Sequence, residues 1–159
     1  MINIGSKQLK GISIGNRAVK EVYKGSQKIW AKESWVNVSL TKTYFKISTS
    51  NHDTTEIISS ALNVSDVTKA TFRLSGSFTS AGTLTYYDSS GTSYTLNGAQ
   101  SFNDLIVNTI YKSLISLNYQ GNSISIGIND SKQLKVYYWK QNNNYSLPSI
   151  TINKIEYLS

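Results

Sequence analysis

Apolar and polar residues alternate along most of the chain beyond residue 34, in short runs separated by turn-forming residues. Strands are predicted at 35–40 (WVNVSL), 43–49 (TYFKIST), 69–76 (KATFRLSG), 82–88 (GTLTYYD), 92–96 (TSYTL), 112–119 (KSLISLNY), 123–128 (SISIGI), 133–139 (QLKVYYW) and 149–158 (SITINKIEYL), since alternation gives a half-buried strand one apolar face. Within KATFRLSG, Ala70, Phe72 and Leu74 point one way and Thr71 and Arg73 the other. DSSG (88–91) and NDSK (129–132) carry turn chemistry and join strand pairs as hairpins. SFNDLIVNTIYK (101–112) fits either a strand or one short helix with Ser101 as N-cap. So many short strands predict an all-β fold, an antiparallel sandwich or jelly roll over residues 33–159.

Residues 1–32 follow a different rhythm. Gly5-Ser6, Gly15-Asn16 and Gly25-Ser26 recur every ten residues, and such pairs accept the positive φ of a two-residue hairpin turn. Between them lie Leu9 and Ile12, Val19 and Val22, and Ile29 and Trp30, with Lys10 and Lys20 at matching places. The segment therefore predicts a short β-meander. A meander of this size is marginal alone and calls for another surface: the following domain, a symmetry mate or a larger partner. Those six apolar residues are its candidate attachment positions.

The repeated pattern Ile-Gly-x-x-x-[Leu/Val]-Lys-x-[Ile/Val], closed by Lys28-Ile29-Trp30, resembles the N-terminal segment of minor structural tail, baseplate and fibre proteins of phages infecting Gram-positive bacteria. The resemblance covers about 32 of the 159 residues. It implies a module (1–32) that attaches to other virion proteins or oligomerises, with a variable domain (33–159) behind it. It transfers no catalytic residues. The ending ITINKIEYL (150–158) is similar to the last strand of jelly-roll carbohydrate-binding domains.

Composition narrows the classes. Only 16% of residues are charged, so the surface must be largely Ser, Thr, Asn and Gln. With no cysteine, disulfides, thiol nucleophiles and thiolate metal sites are excluded. No run of about eighteen apolar residues suggests a membrane span, and MINIGSKQ lacks the form of a secretory signal. The expected location is the virion, assembled in the host cytoplasm. The net charge of +7 is uneven: residues 1–33 carry seven cations against Glu21 and Glu33, a net +5 that leaves +2 for the rest. Basic residues and aromatics thus sit largely apart, unlike a single-strand nucleic-acid binder, and neither a nucleic-acid nor a membrane partner is expected.

Candidate chemistry is sparse. His52 is the single histidine, in the polar stretch SNHDTTE (50–56), and reads as a loop residue without a nucleophile elbow to serve. Asp53, Glu56, Asp66, Asp88, Asp104, Asp130 and Glu156 fall mostly where turns favour Asp. No catalytic residue, cofactor or metal is assigned, although a calcium site built from separate loops stays open.

The most informative stretch is LKVYYWKQNNNYSLP (134–148). If Lys135 faces water, Tyr137 and Trp139 share its face while Leu134, Val136 and Tyr138 point inward. Two aromatics one strand repeat apart, roughly 6.5–7 Å, match the pitch of successive sugar rings. Flat rings cover the apolar face of a sugar and amides bond its hydroxyls, and Gln141, Asn142, Asn143 and Asn144 supply those amides. Tyr137, Trp139, Gln141, Asn142, Asn143 and Asn144 are therefore the candidate ligand-binding set. The alternatives are that Trp139 is core or a subunit contact, with the loops around Tyr87 or Tyr119 as the other place for a site. The function expected is a virion structural protein, a tail, baseplate or fibre accessory that docks through its N-terminal repeat and binds host cell-wall polysaccharide as a homo-oligomer, with a trimer favoured. A tail or capsid decoration protein without ligand, and a non-viral carbohydrate-binding module, are the other readings.

Overall fold

The structure is a computed structural model that describes residues 3–4, 7–8, 12–14, 17–19, 21–24, 27–31, 33–48, 53–79, 81–141 and 147–159. These form strands and turns, with no helix among the described residues. The chain divides into two compact units, Met1–Ser34 and Trp35–Ser159.

The first unit contains three antiparallel hairpins. They are β1 (Asn3–Ile4) with β2 (Lys7–Gln8), β3 (Ile12–Ile14) with β4 (Arg17–Val19), and β5 (Glu21–Lys24) with β6 (Gln27–Ala31). Ile4 pairs with Lys7, Ile14 with Arg17 and Lys24 with Gln27. Two residues separate the strands of each hairpin, the spacing of a tight hairpin; the Gly-Ser and Gly-Asn pairs themselves lie outside the described residues. No ladder among the described residues joins one hairpin to the next. Of the candidate attachment positions, Ile12 pairs with Val19 and Val22 with Trp30, while Ile29 lies beside a register irregularity. Leu9 lies outside the described residues.

The second unit is an antiparallel sandwich. Its strands are β7 (Trp35–Asn37), β8 (Tyr44–Lys46), β9 (Thr54–Ala61), β10 (Thr71–Phe78), β11 (Thr83–Tyr87), β12 (Ser93–Asn97), β13 (Gln100–Asn108), β14 (Ser113–Tyr119), β15 (Asn122–Ile128), β16 (Gln133–Trp139) and β17 (Ser149–Leu158). One sheet has the order β13-β10-β17, with β7 and β8 pairing successive parts of β17. The other runs β12-β11-β14-β15-β16-β9. The chain crosses between sheets repeatedly, as from β10 to β11, β12 to β13 and β16 to β17, and neither sheet closes into a barrel.

The inner faces supply the core. In β10, Phe72, Leu74, Gly76 and Phe78 are buried and the intervening residues half-buried, the alternation expected of a strand with one face inward. Leu84, Leu117, Ile124, Val136 and Tyr138 line the facing sheet.

Residues 101–112 are not a helix. They form β13 and the turn after it, and the helical look of Phe102, Leu105 and Ile106 comes from a bulge. Leu74 pairs with Leu105 and Gly76 with Phe102, so Ser75 faces both Asn103 and Asp104. Asp104 takes φ 51° there and its amide donates to Ser75 Oγ at 3.0 Å. The extra residue shifts the side-chain period. Two bounds also move. β10 starts at Thr71, because Asp66 Oδ1 accepts from Thr68 N (2.8 Å) and Thr68 Oγ1 (2.6 Å) in a turn before it. Part of the polar stretch read as a loop, Thr54–Glu56, belongs to β9.

Candidate functional site

The six-stranded sheet has a polar outer face because its inward positions are taken by the core. Register places Thr55, Tyr137, Ser125, Ser116, Thr85 and Thr95 in one row across all six strands. The next row is Trp139, Ser123, Asn118, Thr83 and Asn97. Neither row contains a charged side chain. Ser116 and Ser125 share a hydroxyl hydrogen bond at 2.9 Å, and Asn118 Nδ2 donates to Ser116 Oγ at 3.3 Å. Thr83 Oγ1 donates to Asn97 Oδ1 at 2.9 Å. Short hydroxyl and amide side chains standing off a strand lattice present donors and acceptors together.

Alternation in β16 sets the aromatic end of this face. Leu134, Val136 and Tyr138 are buried, and Lys135, Tyr137 and Trp139 lie on the opposite side. Trp139 is 42% exposed, so it is not core. Tyr137 is half-buried and its hydroxyl donates to Asp53 Oδ1 at 2.8 Å. That hydrogen bond, with some desolvation, pushes the phenol pKa up, so the ring stays neutral. Gln141 is exposed, its backbone N–H donates to Asn122 Oδ1 at 3.0 Å, and its side chain lies against Gly121 of the β14–β15 turn. Asn142, Asn143 and Asn144 lie outside the described residues, as does His52.

The same face holds a groove that periodicity did not reveal. It has a volume of about 380 Å³. Thr85, Ser116 and Asn118 form its floor, and Tyr87, Ile110, Tyr111 and Ser113 line the rest. Tyr87 belongs to one of the loop regions named as an alternative site; Tyr111 was not foreseen. It sits in a two-residue turn closed by Ile110 N to Ser113 O (3.0 Å) and Ser113 N to Ile110 O (2.8 Å). Tyr111 and Lys112 have φ of 49° and 66°, the left-handed pair of a type I′ turn that Asn-Gly fills without strain. For bulky residues each such conformation costs about 1–3 kcal/mol. Two contacts offset it: Lys112 Nζ bonds Asp130 Oδ1 at 2.6 Å, and Lys112 O accepts from Ile128 N at 2.8 Å. Tyr111 is 97% exposed.

The opposite outer face is ionic. Arg73 Nε donates to Glu156 Oε2 at 2.6 Å, Lys154 Nζ lies 3.1 Å from the same oxygen, and the guanidinium stands 4.6 Å from the Trp35 ring centroid. These groups satisfy one another. Other acids serve their own loops. Asp88 Oδ1 accepts from Ser90 N, Ser90 Oγ and Thr92 N, at 2.8, 2.6 and 3.0 Å. Among the described residues no three His, Cys, Asp or Glu cluster as metal ligands. Neither a family model, nor a curated protein, nor a solved structure matches the chain.

Proposed function

We propose that the chain is a phage virion protein, docked through residues 1–32 and presenting its sandwich to neutral glycans on a Gram-positive host. The observation that carries the adhesive part is the pairing of outward Trp139 and Tyr137 with uncharged rows of hydroxyls and amides. Such a surface stacks on sugar rings and bonds their hydroxyls, and offers little to a phosphate. The repeat's resemblance to virion-attachment segments supports the docking part, and its marginal hairpins favour assembly with a partner or as a trimer.

Two measurements test the reading. In pull-downs with purified Gram-positive wall polysaccharide, Trp139→Ala should weaken binding by about 1–3 kcal/mol, the scale of lost aromatic stacking, and leave the melting temperature nearly unchanged. Binding should persist in moderate salt, unlike phosphate-driven association. Unaltered binding in Trp139→Ala would move the site away from β16. For docking, residues 33–159 alone should fold yet fail to enter particles; incorporation at the full-length level would remove the role of the repeat.

A further inference from the structure

We propose that the Tyr87–Tyr111 groove is a second sugar subsite, and that one polysaccharide strand runs across the sheet from Trp139 to Tyr111. This rests on the adhesive reading above and extends it from a stacking spot to an extended site.

Three observations carry the inference. The groove's volume, about 380 Å³, lies within the range of small-ligand sites, roughly 300–1,000 Å³. Its lining is two phenols, three hydroxyls, one amide and one aliphatic chain, with no charged group. That chemistry suits a neutral polyol. Next, Tyr111 is displayed almost wholly in solvent on a backbone conformation unfavourable to tyrosine. A ring that buries so little in its own fold gains from the strain only when something lies against it.

Continuity is the third observation. Ser116, Asn118 and Thr85 on the groove floor occupy the same two rows as Tyr137 and Trp139. From β16 to β11 is three strand spacings, about 14 Å, the reach of a short oligosaccharide. The path between is floored by Ser123 and Ser125, whose hydroxyls face the same way. A chain crossing from Trp139 towards β11 therefore meets hydroxyls on the way, and Tyr111 stands beyond the Tyr137 row, next to Ser113, which aligns through Gly127 with Lys135. Lys112 is held by Asp130 and is not among the lining residues.

The test uses the full chain and a partial acid hydrolysate of Gram-positive wall polysaccharide, separated into a short pool (mono- and disaccharides) and a long pool (hexasaccharides and above). Linking two subsites makes the second contact intramolecular, so the long pool should bind much more tightly than the short one. Tyr111→Asn removes the ring while keeping a residue that tolerates the left-handed turn. It should lower long-pool affinity roughly tenfold, the loss of one stacking contact, and leave short-pool binding at Trp139 unchanged. Its melting temperature should hold or rise, so the loss cannot come from misfolding. If Tyr111→Asn and Tyr87→Ala both bind the long pool as the parent does, while Trp139→Ala loses binding, the second subsite is refuted and adhesion stands. If the parent binds neither pool, adhesion and subsite fall together.

Discussion

Gly127→Ala should destabilise the sandwich by about 2–4 kcal/mol, through a backbone contact that holds the Tyr111 turn in place. Gly127 is buried in β15, paired with Ser113 on one side and Lys135 on the other. A Cβ there would stand 2.5 Å from Lys112 O, 3.5 Å from its carbonyl carbon and 3.5 Å from Ser113 Cα. These are backbone atoms and cannot swing aside like a side chain. Overpacking costs about 1–3 kcal/mol. Displacing Lys112 O also removes the acceptor for Ile128 N, now at 2.8 Å, and an unpaired buried amide costs about 1–3 kcal/mol. Alanine recovers about 0.4–1 kcal/mol by restricting the unfolded chain. A thermal melt should show a fall on the order of 10 °C for a unit of this size, with faster hydrogen exchange at the Ile128 amide. Because the turn carries Tyr111, long-oligosaccharide binding should weaken too. A melting point within about 2 °C of the parent, with Ile128 still protected, would refute the reasoning, since it is too small for even one of these costs.

Tyr138→Phe should cost about 1.5–3 kcal/mol, because the buried phenol donates to the Glu56 carboxylate at 2.9 Å; an unchanged urea midpoint would count against that bond. Burial works against the charge on Glu56, but hydrogen bonds from Lys42 and Tyr138 outweigh it and hold the carboxyl below the ordinary glutamate range. Asp88 is likewise depressed, chiefly by the Ser90 hydroxyl and then by the Thr92 and Ser90 amides. Its ionised form therefore supports the β11–β12 hairpin above the ordinary aspartate pKa, and that support is lost as pH falls through the lower folded value. Protection of the Ser90 and Thr92 amides, measured against their intrinsic exchange rates, should fall in acid, and Asp88→Asn should flatten that dependence; an identical acid limb in the variant would refute it.

Periodicity identifies a strand most cleanly where its ladder runs unbroken, although β14 and β17 were legible across a single extra residue each. β16 pairs residue for residue with β15 from Leu134 to Trp139, so its inward and outward sets never exchange. The two it missed or left open are bulged. In β9, Gln133 pairs with Ala61 but Lys135 with Ile57, and the irregularity leaves Ile58 and Ser59 both buried while Ile57 is exposed. In β13, the residues opposite Ser75 produce the spacing of a helix. A bulge adds residues to one strand only, and the need for it lies in the partner strand, far off in sequence.

The site follows the same logic. The common outward face of Tyr137 and Trp139 was legible because both lie on one strand, where the period alone fixes it. Thr85, Ser116 and Ser125 each look like ordinary outward polar residues; only the register makes them one row with Tyr137. Tyr111 was hidden for a different reason. Two-residue hairpin turns are recognised by Asn-Gly and its relatives, and the neighbouring β14–β15 turn, Gln120-Gly121, partly obeys that rule with Gly121 at φ 81°. Tyr111-Lys112 uses the same kind of turn with two side chains that resist it, braced by Asp130 and Ile128. A chain that needed only to reverse direction has a less strained answer one hairpin away. Local rules are expected to break at functional or strained sites, and here the break places an exposed ring at the lip of the groove.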